Sequence, residues 1–506
     1  MKKPTAATAL TLALATLMTT AGYTAVASPS AAGDGLERFR EQSVTWAGCD
    51  DPALAGTGTE CARITVPLDY GKPEGRTLTV AISRVRATDP KKRRGILQSN
   101  PGGPGGRGLS LPAVIKSKMT PEVAAAYDVI GMDTRGLGES TPVDCGLTRG
   151  MWLRAPGPDR AGFDESVRLS REDARMCWDK YPDVLPHLST RNIARDVDIV
   201  RSALGERKTS WFGQSYGTVL GAVYAQMFPH RIDRLVLDSA PGPADYHSFE
   251  MVRKMGPANE KALDDFARWA APRDRQYGLG TTPAAVRATV EGLVRRDAGA
   301  GPIHIDGHRI PSHDLPLVLF SLVTDDTGNA DLALGLRALL DAAAGKTVTA
   351  PPALKGFLDV MSDPRGSGRA ADYAAQLGVL CADAPMPRDP EYYWKGVERA
   401  RTSHPVFGPV TNVPLPCAFW KEAPREKPTK INNKVPALQI QATGDTRTTY
   451  ESGLGMHRAM RGSKLVTVPA RSHAVYLHYP NDCVNRTVND YLLDGTLPAR
   501  DVVCAS

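Results

Sequence analysis

An α/β architecture, with a mostly parallel sheet flanked by helices and interrupted by a large helical insertion, is what this sequence predicts. Strand-like alternation runs from Cys61 to about Leu97, short apolar runs then alternate with helically spaced stretches, and a long segment rich in Ala, Leu and Arg in the second half is amphipathic with little strand signal. With 506 residues, 42% hydrophobic and 23% charged, the chain can bury a sizeable core, as one large domain with an insertion or as two domains.

The chain opens with Lys2 and Lys3, an apolar run from Ala6 to Leu17 and small residues through "AVAS" at Ala27 and Ser28. That is the layout of a secretory signal peptide over 1–28. No other apolar run approaches the roughly 20 residues that span a bilayer, so a secreted protein outside the membrane is expected. The first part of the core is placed at 41–246. There "ARITVPLDY", "TLTVAISRV" and "GILQS" alternate as strands, and "YDVIGMD" is a short apolar strand ending in a Gly-rich turn. "TRNIARDVDIVRSAL" has helical spacing with Thr190 or Asn192 as N-cap; "TSWFG" reads as a buried strand, "TVLGAVYAQMF" as a helix and "IDRLVLDSA" as another strand. From 247 to 427, "KALDDFARWAA", "AAVRATVEGLVRR" and "ADLALGLRALLDAA" predict a helical cap. Over 428–506 strands return at "VPALQIQATGD" and "SKLVTVPARSH", and "RTVNDYLLDG" closes the chain as a helix.

The eight cysteines, Cys49, Cys61, Cys145, Cys177, Cys381, Cys417, Cys483 and Cys504, form an even set without a CxxC pair, so neither a zinc ribbon nor a thioredoxin-type site is indicated. Disulfides suit an exported chain. Eight cysteines allow 105 connectivities; each consecutive pair lies within one local segment, which favours 49 with 61, 145 with 177, 381 with 417 and 483 with 504. The net charge of +7 is mild, and its one dense run, "KKRRG" from Lys91 to Gly95, sits between strands with no interleaved aromatic residues. A solvated turn explains it, and nucleic acid is not an expected partner.

The sheet gives "GQSYG" a meaning. Ser215 falls where an apolar strand ends and a helix begins, with Gly213 and Gly217 at the positions where a side chain would crowd a sharp corner. Such a corner lifts a nucleophilic hydroxyl above the sheet edge. Acyl transfer then needs backbone N–H groups aimed at the developing oxyanion. Tyr216, directly after the serine, and Gly103 or its neighbour Gly102 in "NPGGPGG" are the candidates. A serine hydroxyl also needs a base, and the base an anion to fix its tautomer. Asp445 in "ATGDTRT" is the preferred acid over Asp238, also at a strand end, and His473 in "PARSHAV" the preferred base over His478. The order Ser215, Asp445, His473 is that of the α/β-hydrolase triad, and the long gap between serine and acid is where the helical insertion lies.

Taken together, "NPGGPGG", "GMDTRGLGES", "GQSYGT", "ATGDTRT" and "RSHAV", with "LPHLSTRNIARDVDIVRSALGE" and "PLPCAFW", resemble the secreted tripeptidyl aminopeptidases and proline iminopeptidase-like enzymes of actinomycetes. The resemblance covers nearly all of the mature chain. It implies the α/β-hydrolase fold and a serine exopeptidase that takes peptides with free amino termini, with Ser215, Asp445 and His473 as its triad and no metal or cofactor. It further implies export and a short propeptide or flexible N-terminus over 29–40; a monomer is expected. Reading an amino terminus calls for a buried anion in the cap. Asp383 in "GVLCADAP" is the candidate, whereas Leu380 stands where some members of the family carry a glutamate. Two other readings use the same sequence: an esterase or lipase with the same triad, and a non-catalytic binding protein on the hydrolase fold.

Overall fold

A computed structural model describes Met1 and residues 34–505, apart from 152 and 312 and the side chains of 297–300. Residues 2–33, which hold the expected signal peptide and the start of the expected propeptide stretch, lie outside the described residues.

Twelve strands appear among the described residues: β1 (Ala47–Gly48), β2 (Thr59–Pro67), β3 (Thr77–Val85), β4 (Gly95–Asn100), β5 (Tyr127–Met132), β6 (Thr209–Gln214), β7 (Ile232–Asp238), β8 (Ile303–Ile305), β9 (His308–Ile310), β10 (Ala437–Ala442), β11 (Ser463–Val468) and β12 (Val502–Val503). Ten of them form one sheet in the order β1-β2-β3-β5-β4-β6-β7-β10-β11-β12. The pairs β1–β2, β2–β3 and β3–β5 are antiparallel and the others parallel. Every residue of β4, β5, β6 and β10 is buried, because helices cover both faces and leave no room for the polar alternation of a half-exposed strand. The register pairs Asn100 with Gly213 and Gln214 with Asp238, so the carboxyl ends of β4, β6 and β7 finish level, with β10 and β11 alongside.

One face of the sheet packs on the helices Thr190–Ala203 and Tyr216–Met227 through Ile193, Val197, Leu220 and Val223. The other face packs on Leu111–Lys118 and Asp482–Asp494 through Ile115, Val488 and Leu492. The N-cap of Thr190–Ala203 is Ser189 rather than Thr190 or Asn192: Ser189 is extended and its hydroxyl accepts from the Asn192 N–H, whereas Thr190 is already helical.

The second half forms its own apolar cluster, built from Phe266, Leu319, Leu336, Leu339 and Phe407 among others. It draws in Leu153, Phe163 and Val167 from the segment before β6, so part of the stretch assigned to the first core segment packs with the cap. Conversely, the helix Arg369–Asp383 inside the insertion packs on the sheet side through Tyr373, Leu377 and Cys381. The cap is not purely helical. Strands β8 and β9 form a hairpin turned by Asp306 and Gly307, both at positive φ, as a two-residue Asp-Gly turn requires. Disulfides join Cys49 to Cys61, Cys145 to Cys177, Cys381 to Cys417 and Cys483 to Cys504, the pairing that local spacing favoured. No helix among the described residues is long and apolar enough to cross a membrane.

Candidate active site

Ser215 stands between β6 and the helix Tyr216–Met227 with φ 52° and ψ −121°, a conformation that costs a non-glycine residue on the order of 1–3 kcal/mol. The flanking glycines are sterically obligatory. A Cβ on Gly213 would lie 2.1 Å from the Gly217 carbonyl oxygen, and one on Gly217 would lie 2.4 Å from that of Asn100. The corner is pinned by the Ser215 N–H donating to Asp238 O at 3.0 Å and by Trp211 Nε1 donating to Gly217 O at 3.0 Å.

The glycine loop after β4 presses against this corner. A Cβ on Gly102 would lie 2.6 Å from Gln214 O and 2.8 Å from Ser215 Cβ, so the backbone approaches as only glycine allows. Of the two loop amides considered, that of Gly102 donates to Asn100 Oδ1 at 2.9 Å and is not free for an oxyanion. The Gly103 N–H has no acceptor among the described residues, and Gly103 lines the cavity beside Ser215. Tyr216 is the first residue of its helix, where N–H groups have no intrahelical partner. Downstream, Asp133 of "GMDTRGLGES" accepts from the Gly108 N–H at 2.7 Å and the Glu139 N–H at 3.0 Å, fixing the far end of the glycine loop.

Asp445 and His473 meet as the strand ends suggest. His473 Nδ1 lies 3.1 and 3.0 Å from the two Asp445 oxygens. Ionised carboxylate oxygens only accept, so Nδ1 carries the proton and a neutral ring keeps the Nε2 lone pair free. Asp445 also accepts from the N–H groups of Arg447 and Thr448 at 2.8 and 2.9 Å and from Thr448 Oγ1 at 2.8 Å. Burial pushes its carboxyl upward, but the His473 charge and these hydrogen bonds outweigh burial and hold it below the ordinary carboxylate value. The rival Asp238 is occupied elsewhere, since its carboxylate accepts from the N–H groups of Val475 and Tyr476 at 3.0 and 2.8 Å and so anchors the turn after His473. The rival His478 is exposed at the end of that turn.

Ser215 and His473 line one cavity of about 350 Å³, and no hydrogen bond joins them among the described residues. Its walls include Met151, Leu153, Met251, Met255, Phe320 and Leu380, with Gln376, Thr448 and Arg447 as polar members. Asp383 is not on this wall, a correction to its expected role at a substrate ammonium group. Its carboxylate accepts from the Thr190 N–H at 2.7 Å, Thr190 Oγ1 at 2.5 Å and Tyr246 Oη at 2.8 Å, and Tyr216 Oη lies 2.8 Å from Thr190 Oγ1. The rings of Tyr216 and Tyr246 therefore stand between Asp383 and the cavity. Tyr246 and Arg447 carry no local sequence motif; only the "DTRT" turn places an arginine two residues from Asp445.

Among the described residues two further Ser–His–Asp groupings occur, Ser362 with His308 and Asp359, and Ser463 with His457 and Asp501. Each serine hydroxyl donates into its own chain, Ser362 to Leu358 O at 2.6 Å and Ser463 to Met460 O at 2.7 Å, and neither residue has a positive φ. Neither resembles the corner at Ser215.

Comparison with known proteins identifies the family. The family profile described as "alpha/beta hydrolase fold" matches residues 100–293, and the one described as "TAP-like protein" matches residues 404–504. A tripeptidyl aminopeptidase of Streptomyces lividans is 34% identical over 495 residues, covering 92% of this chain and 88% of that protein. Serine protease Hip1 of Mycobacterium tuberculosis is 29% identical over 496 residues, covering 92% of this chain and 91% of the relative. Carboxylesterase B of the same species is 29% identical over 471 residues, covering 88% and 86%.

Proposed function

Because the chain belongs to the TAP-like family of α/β-hydrolases and is a serine peptidase, we propose that it cleaves peptides near free amino termini through an acyl-enzyme on Ser215. In this reading Ser215 Oγ attacks the scissile carbonyl and His473 Nε2 takes its proton. Asp445 holds the imidazole and its charge, and the N–H groups of Tyr216 and Gly103 receive the oxyanion. His473 then returns the proton to the leaving amine, and water repeats the cycle on the ester. The Ser215–His473 hydrogen bond forms when substrate enters, as catalytic hydrogen bonds tighten in the Michaelis complex. The observation that carries the proposal is the strained Ser215, held by obligatory glycines in the same cavity as the Asp445–His473 pair.

Amino-terminal cleavage is supported by the tripeptidyl aminopeptidase relatives. The substrate ammonium group would be received by the Gln376 side chain and the faces of Tyr216 and Tyr246. A second reading, an esterase, is favoured by the apolar walls, whose permanently charged member is the cation Arg447 rather than a carboxylate, and by the carboxylesterase relative. A tripeptidyl arylamide with a free amine, its N-acetylated form and a short-chain aryl ester separate the two. The aminopeptidase reading predicts a kcat/KM at least about 10²-fold higher for the free amine than for its blocked twin, the discrimination a misfitted polar group typically gives; equal rates with a faster ester would favour the esterase. Export is proposed on the signal-like opening of the sequence and the four disulfides, which persist in oxidising compartments.

A further inference from the structure

The cap is bolted to both loops that carry the acid and the base. From the base loop, the Arg471 N–H donates to Asp326 Oδ2 and the Asp326 N–H donates back to Arg471 O, both at 2.9 Å, while the His473 N–H donates to Asp325 Oδ1 at 3.1 Å. The Arg471 guanidinium reaches Ala262 O at 2.9 Å, Asp325 O at 3.0 Å and Asn329 Oδ1. From the acid loop, Arg447 donates to Asn259 Oδ1 at 3.0 Å, Thr324 Oγ1 at 2.7 Å and Phe320 O, and lies 3.6 Å from the centre of the Phe320 ring. Asn259 Nδ2 in turn donates to Thr446 O at 3.2 Å. Arg471, Asn259 and Asn329 are buried, so a missing partner here would leave a desolvated polar group.

We propose that the cap segment 320–329 is a fixed part of the catalytic centre rather than a lid over it, and that Asp325 is a positioning residue that sets the His473 imidazole by holding its backbone N–H. The contact most specific to this idea is the one at His473 itself. A cap that only gated access would have no reason to accept the main-chain hydrogen of the general base. The inference rests on the Ser215–His473–Asp445 reading above, and one pair of measurements distinguishes the failure of each.

The first measurement is the rate at which a small fluorophosphonate, which needs the base but little of the cleft, labels Ser215; the second is the kcat and KM of a tripeptidyl arylamide. Asp325→Ala is expected to slow labelling and lower kcat together, by up to about 10²-fold, the cost of misplacing a catalytic group by roughly an ångström, with KM within about twofold. Asp325→Asn, which keeps an accepting oxygen, is expected to recover most of both. Should Asp325→Ala fail to fold, Asp326→Ala carries the same expectation, since it releases the backbone of Arg471 two residues earlier. Labelling of Asp325→Ala as fast as wild type, a change confined to KM, or an Asn variant as impaired as the Ala variant would overturn the positioning role. A wild-type enzyme that is active yet not labelled at Ser215 would overturn the triad reading and this inference with it.

Discussion

Ser215 holds an unfavourable backbone conformation because its neighbours leave it no other. The nearest atoms that a Cβ on Gly213 or Gly217 would meet are backbone carbonyls, so added carbon cannot be accommodated by a rotamer change alone. Gly217→Ala is therefore expected to destabilise the protein by about 1–3 kcal/mol, the usual cost of overpacking, and to lower kcat by about 10²-fold as the corner shifts away from the glycine loop. Urea unfolding and steady-state kinetics on one preparation test both; a variant with wild-type stability and kcat would show that the corner is not tightly built. The residues of this corner, and the hydrogen-bonded pair Asp445 and His473, are legible in the sequence because each follows an apolar strand, and strand ends on a parallel sheet share one rim. The choice between Gly102 and Gly103 was not legible. It turns on Asn100 Oδ1, a side-chain acceptor two residues away, which takes one amide and leaves the other.

At the scale of elements, Asp383 joins the carboxyl end of the helix Arg369–Asp383 to the amino end of Thr190–Ala203, with Tyr246 from a third segment. Burial raises its carboxyl from 3.8 to about 6, against hydrogen bonds from Thr190 and Tyr246 that pull it down. The folded chain then holds this proton more tightly than the unfolded chain. Its contribution to stability is therefore full below about pH 4 and is lost as pH rises through about 6. Asp383→Asn removes that dependence, so between pH 4 and 7 stability is expected to move in the variant's favour relative to wild type by on the order of 3 kcal/mol. Parallel urea titrations at those pH values check it, and a constant difference would contradict the assignment. Elements were legible where their signals are local. The β8–β9 hairpin had such a signal, "IHIDGHRI", an Asp-Gly between alternating residues, and it was masked by the helical composition around it. The Ser189 cap has no single start in the pattern, because four polar residues in a row, Ser189, Thr190, Arg191 and Asn192, precede Ile193.

For the whole molecule, the sheet supplies the rim and the cap supplies walls and supports. The buried Arg135 of "GMDTRGLGES" shows how the motif serves the first of these. Its guanidinium donates to both oxygens of Asp196 and to the carbonyls of Pro67, Leu68 and His187, locking the loop after β5 to β2 and to the helix before β6. The sheet is legible because burial on both faces imposes continuous apolar runs; the cap's grip on the loops of Asp445 and His473 is not, since Arg447 with Thr324 and Arg471 with Asn329 pair residues more than a hundred positions apart without periodic pattern. The central claim is that Ser215 becomes acylated with His473 as its base, and mass spectrometry of enzyme quenched during turnover of a slowly deacylating aryl ester tests it most directly. The account predicts an acyl adduct on the peptide containing Ser215 in the wild type and its loss in His473→Ala; an adduct on another residue, or undiminished acylation without His473, would contradict it.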